Sequence, residues 1–156
     1  MANKKTWREK LSDAKDLPKV VSLNENARKH WKAGTMAIPS PMEINELMAT
    51  VPAGKVITLA EIRQLVARKH KADIGCPLTC GIFSWIAAHA AVEAAAEGAK
   101  ETTPYWRTLK TGGELNPKYP GGIEEQKRLL ESEGHNVIQK GKKYLVENYE
   151  DCLLKS

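Results

Sequence analysis

Pro104-Tyr105-Trp106-Arg107 is followed by Thr108-Leu109-Lys110-Thr111-Gly112-Gly113-Glu114-Leu115, and then by Gly121-Gly122 opening a segment that closes on Leu129-Leu130-Glu131-Ser132-Glu133-Gly134. Inward-facing Leu129 and Leu130, with Gly134 just past the end, predict a helix from Ile123 to Glu133 that stops at the glycine. Gly112-Gly113 supplies the positive φ of a tight turn. The run from Tyr105 to Lys110 reads as extended.

Upstream, two capping patterns set the frame. Ser40-Pro41-Met42-Glu43 places a capping serine, a first-turn proline and an N3 glutamate, so a helix is predicted from Pro41 to Thr50 with Ile44, Leu47 and Met48 inward. Thr58-Leu59-Ala60-Glu61 repeats the pattern and predicts a helix from Leu59 to Lys69. Pro77 marks a third start, and Leu78 to Glu97 reads as a long alanine-rich helix. Two helices joined by a loop form either a helix-turn-helix or a plain core hairpin. Downstream, Val137 to Gln139 and Lys143 to Val146 read as a β-hairpin, the wing of a winged helix. The expected fold is therefore mainly α with a small β component: a winged helix, helix-turn-helix plus β-hairpin, with an N-terminal extension. It divides into a basic arm at 1–39, the domain at 40–148 and a tail at 149–156.

The basic excess lies in the arm. Residues 1–39 hold nine Lys and Arg against four Asp and Glu, while the remainder holds fifteen of each. The arm reads as a phosphate-seeking segment, with Lys4, Lys5 and Arg8 as candidates, or as a solubilising tail. Thr6 to Glu9 has capping-box spacing and predicts a short helix through Lys15. Trp7 and Trp31 are apolar enough to pack the arm across the domain, and Ala33 to Pro41 reads as an extended connector.

A chain of 156 residues suits one domain, or one domain plus an arm. Its start lacks the pattern of a signal peptide, and no apolar run is expected to reach the roughly 18 residues of a spanning helix. The expected location is cytoplasmic, the expected state a monomer. Cys76, Cys80 and Cys152 form no paired framework and read as structural thiols. Neither a metal site nor a cofactor is expected.

The segment Pro104 to Gly134 resembles the C-terminal DNA-binding domain of the O6-alkylguanine-DNA alkyltransferases, the methylated-DNA-protein cysteine methyltransferase family. That family reads Val/Ile-Pro-Cys-His-Arg-Val, a glycine turn, Gly-Gly-Leu and Leu-Leu-x-x-Glu-Gly. Pro52 to Ile62 is similar to its Pro-x-Gly-x-Val-x-Thr-Tyr-Gly-x-Ile. The likeness covers about residues 40 to 140. In that family a low-pKa cysteine takes the alkyl group from a flipped guanine, with a histidine as its base. Here Tyr105 falls on the cysteine and Trp106 on the histidine, while Arg107 and Glu133 fall on the family's arginine and glutamate. A phenol with pKa of about 10 and an indole that does not titrate cannot replace a thiolate and its base.

The resemblance implies further losses. Leu59 stands on the family's phosphate-rotating tyrosine, and Cys80 near its arginine finger. It implies that Thr58, Leu59, Thr79, Cys80, Gly81 and Ser84 approach DNA, and that Tyr105, Trp106, Arg107 and Glu133 surround a base pocket. The alkyltransferase-like branch also lacks the cysteine and binds alkylated DNA without repairing it. The expectation is a non-catalytic binder of double-stranded DNA, alkylated guanine included, that hands lesions to a repair-protein partner. Stacking of Tyr105 and Trp106 on a base competes with their filling the vacated pocket as core. An active methyltransferase, another enzyme using a remodelled pocket, and a winged-helix protein-interaction module are the alternatives.

Overall fold

The helix starts form where the capping chemistry asks for them. Ser40 Oγ accepts a hydrogen bond from the Glu43 amide at 3.2 Å, and the Thr58 amide donates to Glu61 Oε1 at 2.8 Å. These ends satisfy amides that a helix leaves without partners. The computed structural model describes residues 5–154. Its first elements are helix α1 (Trp7–Ser12), strand β1 (Lys19–Ser22), helix α2 (Glu25–Trp31) and strand β2 (Thr35–Ile38). Helix α3 (Pro41–Ala49), strand β3 (Ile57–Thr58), helix α4 (Leu59–Lys69), strand β4 (Ile74–Gly75) and helix α5 (Pro77–Ala96) follow. A 3-10 turn at Tyr105–Arg107 leads into β5 (Thr108–Leu109), α6 (Gly122–Ser132), the hairpin β6 (Val137–Lys140) and β7 (Lys143–Val146), and a last 3-10 turn at Tyr149–Cys152. The described residues are mainly helical, with three small sheets.

Helix α5 is the axis of the fold, with α1, α3 and α4 packed around it. Its buried stripe is Cys80, Ser84, Ala87 and Ala91, spaced by three or four residues, so its inner side carries small side chains. Small residues let the neighbouring helices approach closely. Ile44 and Met48 of α3 and Ile62 and Val66 of α4 fill the space against it. By length and composition alone α5 is apolar enough to cross a membrane, against the expectation that no run would be. Its alanines contribute to that reading, and in this fold Ala87, Ala88, Ala90 and Ala91 are buried. A second cluster, Val56, Leu109, Leu115, Leu130 and Val146, lies under the hairpin.

Residues 33–41 are not a bare connector. Strand β2 pairs antiparallel with β1, Val20 opposite Ala37, and parallel with β4, Ala37 opposite Gly75. Its backbone is extended as expected, but local propensity does not show the ladder; pairing with β1 and β4 creates it. Only glycine fits at 75, because a Cβ there would run into the backbone carbonyl of Arg63. Helix α1 ends at Ser12, short of Lys15, where Asp13 caps it and Lys15 takes a positive φ of 53°. The C-terminal residues are tied in as well, since the Val56 amide donates to the Cys152 carbonyl and the Leu154 amide to the Val56 carbonyl.

Candidate functional site

Strands β3 and β5 run parallel, with Ile57 opposite Thr108 and Thr58 opposite Leu109. This pairing seats the start of α4 beside the Tyr105–Arg107 turn. The turn is 3-10 rather than extended, closed by the Arg107 amide donating to the Pro104 carbonyl at 3.2 Å. Tyr105 is thereby turned inward and only 4% exposed. Its ring meets Trp106 edge-on at 5.4 Å and Tyr119 edge-on at 5.4 Å, geometries that favour aromatic pairs. Burial, helped by the Glu125 carboxylate, pushes the phenol pKa above its usual value, so the group stays neutral.

Beside these rings lies a cavity of about 430 Å³, between the second half of α5 and the start of α6. Its wall includes Tyr105, Trp106, Pro120, Gly121, Glu125 and Arg128. Arg128 Nε donates to Glu125 Oε1 at 2.9 Å, which sets a carboxylate and a guanidinium side by side on the wall.

Arg107 and Glu133, expected around that pocket, are not on its wall. Arg107 Nη2 donates to Glu133 Oε2 at 2.6 Å, its Nε reaches both carboxylate oxygens at 3.0 and 3.1 Å, and its Nη1 donates to the Val51 carbonyl at 2.8 Å. The arginine is a clamp joining the turn, the end of α3 and the end of α6. Burial alone would raise the Glu133 pKa, but Arg107 outweighs it and holds the carboxyl below its usual value. Burial pushes His135 the other way for a base, below its usual value.

Both shifts make acid destabilising. Glu133 contributes stability above its unfolded pKa of about 4.3 and loses it as pH falls through the folded value. His135 must stay neutral in the fold, so its penalty begins as pH drops through about 6.5, where the unfolded imidazole takes a proton. The melting temperature is expected to be flat from pH 7 to 8 and to fall progressively below pH 6.5. A His135→Gln variant whose acid profile above pH 5 matches wild type would refute the histidine part.

Several DNA-facing candidates are corrected by burial. Cys80 and Ser84 lie on the inner stripe of α5 with no exposed surface, and Thr58 is buried at the start of α4. None can present its side chain to a macromolecule. Burial also pushes the Cys80 thiol up to about 12, which keeps it protonated at neutral pH. Thr79 is half-buried with its hydroxyl unpartnered, whereas Gly81 has open space where a Cβ would be. Leu59 does reach the surface, beside a residue that the motifs do not single out. Leu78 is 69% exposed. It forms part of the wall of a shallow cavity of about 260 Å³, together with Leu59, Gly81, Trp85, Lys110 and Lys118 among others. The signal that points to it is the stripe at Cys80, Ser84, Ala87 and Ala91, which leaves Leu78 on the opposite side.

The arm candidates fare differently. Lys4 lies outside the described residues. Lys5 is paired with Asp13, and Arg8 with Glu93 and Glu97. Glu93 also accepts the amides of Trp7 and Arg8, at 3.2 and 3.1 Å. Trp7 stacks on His89 at 4.4 Å and meets Trp85 edge-on. The acidic side of α5 thus anchors α1. Among the described residues no group of three or more His, Cys, Asp or Glu is placed to hold a metal ion.

No known protein family and no curated protein matches the chain. Two solved structures do. One is S. pombe Atl1 in complex with damaged DNA containing O6-carboxymethylguanine, 21% identical over 74% of this chain and 94% of that one, with a TM-score of 0.48. The other is S. pombe ATL in complex with DNA, at the same identity and coverage, with a TM-score of 0.45. Likeness at this level assigns neither family nor ligand to this chain; its own residues have to.

Proposed function

We propose that this chain is a non-catalytic DNA-binding protein of the alkyltransferase-like kind. In this reading α4 and α5 act as a helix-turn-helix, the β6–β7 hairpin as its wing, and the Leu78 end of α5 enters a groove. The Tyr105–Trp106 cavity then receives an extrahelical base, with alkylated guanine as the favoured lesion.

One observation carries the reading: a protruding leucine rimmed by Lys110 and Lys118, and an aromatic-walled cavity, lie along the same helix. The loop from Asn116 to Gly121 runs from one to the other. Exposed apolar side chains on a basic face are how minor-groove proteins wedge base steps apart. An unstacked base gains about 1 to 3 kcal/mol from an aromatic platform, which Trp106 offers. The Glu125–Arg128 pair adds an acceptor and donors for a base edge. Chemistry is a poor fit, because the turn carries a neutral phenol where alkyl transfer needs a thiolate, and Cys80 is buried and protonated.

Fluorescence polarisation with matched duplexes, guanine against O6-methylguanine, tests this at low and high salt. Tighter binding of the lesion duplex is expected, with no methyl adduct on any cysteine by mass spectrometry afterwards. No binding at either salt removes the proposal, equal affinity removes the lesion part, and an adduct removes the non-catalytic part.

A further inference from the structure

Two basic stretches, one inside the arm and one at the end of α4, lie side by side, with Lys69 of the second paired to Glu43 at 3.0 Å. Over residues 25–32 and 63–73 there are seven Lys and Arg against two acids, Glu25 and Asp73. That leaves seventeen of each sign in the rest of the chain, so these two stretches account for the whole formal charge of +5. They are distant in sequence and adjacent in space. The Asp73 carboxylate accepts the amides of Gly34 at 2.8 Å and Thr35 at 3.1 Å, which ties the end of the α2 region to the loop after α4. Arg63 of α4 lies over the Trp31 ring of α2, 5.5 Å from its centroid.

Helix α2 has no buried residue. Its last turn carries Arg28, Lys29 and His30, and Lys32 follows in a left-handed cap. Trp31 is 37% exposed and covers Arg63 rather than entering the core. A solvated helix needs no tryptophan, whereas a tryptophan against a guanidinium holds it in place by a cation–π contact, and Arg63 is fixed further by its Nε donating to the Gly75 carbonyl at 3.0 Å. Along the second stretch runs a groove of about 440 Å³, with Arg63, Gln64, Arg68 and Asp73 on its wall and Ala60, Ala67 and Ala72 leaving it open. Its far end is Ile74–Gly75, directly before the start of α5.

We propose that this face, α2 together with the end of α4, is a second DNA contact that grips the phosphate backbone of the duplex beyond the part reached by Leu78. The inference rests on the DNA-binding reading above and adds a surface that the helix-turn-helix resemblance does not contain. Its signature is electrostatic: every phosphate that the protein ceases to neutralise lowers the slope of log affinity against log salt by about 0.9.

The test is a triple variant, Lys29→Gln, Lys32→Gly and Lys71→Gly. Glycine is chosen because Lys32 and Lys71 sit at positive φ of 53° and 55°, so the charges go without backbone strain. With an unchanged melting temperature, the variant is expected to bind a long duplex with its salt slope reduced by about 2 to 3 and its lesion preference intact. An unchanged slope, with wild-type protein binding duplex normally, overturns this inference alone. Failure of the wild-type protein to bind any duplex overturns it together with the reading it rests on. Loss of binding to anionic vesicles with the DNA slope unmoved would assign the face to a membrane surface and overturn it too.

Discussion

Arg107→Ala is expected to destabilise the protein by about 3 kcal/mol, the low end of what breaking a buried ion pair costs. The side chains of Arg107 and Glu133 are only 15% and 13% exposed, so the carboxylate left behind cannot recover full hydration. The Val51 carbonyl loses its donor in the same change. For a chain of this length that is a drop in melting temperature on the order of 10 °C. Arg107→Lys is expected to recover little, since an ammonium cannot fork to the carboxylate and reach Val51 at once. Because the clamp does not line the cavity, lesion preference measured well below the melting temperature is expected to persist. An Arg107→Ala protein that melts like wild type but no longer distinguishes the lesion would return this arginine to the binding site.

Leu78→Asp is expected to act the opposite way, on binding and not on folding. The side chain is largely in solvent, so thermal stability should change little. Duplex affinity is expected to fall at least tenfold, about 1.4 kcal/mol or more, because an apolar wedge is replaced by a charge that phosphates repel. Leu78→Ala is the milder control, removing the wedge without the repulsion. Affinity for lesion duplex that survives Leu78→Asp unchanged would show that this end of α5 does not face DNA.

The contrast between these two residues shows what is legible in the sequence. Capping patterns at Ser40 and Thr58 and the proline at 77 announce helices whose observed starts match within a residue. The β6–β7 hairpin is equally plain, as the short apolar runs Val137–Ile138 and Tyr144–Val146 on either side of Lys140-Gly141-Lys142. Motif spacing also brings Arg107 to Glu133, yet it assigns the pair a role at a pocket that the geometry gives to Glu125 and Arg128. A motif fixes which residues meet and not which cavity they line. The inner face of α5 misleads for a related reason: small polar residues such as Ser84 look available for a groove, but they are also what allows helices to touch. The extended course of residues 33–41 is legible, but the pairing that makes β2 and β4 strands is not, because each ladder joins residues apart in the sequence.

That last pairing carries a consequence for how the molecule comes into being. Synthesis delivers the residues of β2 well before those of β4, so the partner that braces the connection between α4 and α5 is already on the chain when that connection emerges. Without β1 and β2, Ile74 and Gly75 would have no ladder to join, and the angle at which α5 leaves α4 would depend on a short loop alone. The N-terminal extension is in this sense a splint for the helix that follows it, laid down before the part it has to hold straight.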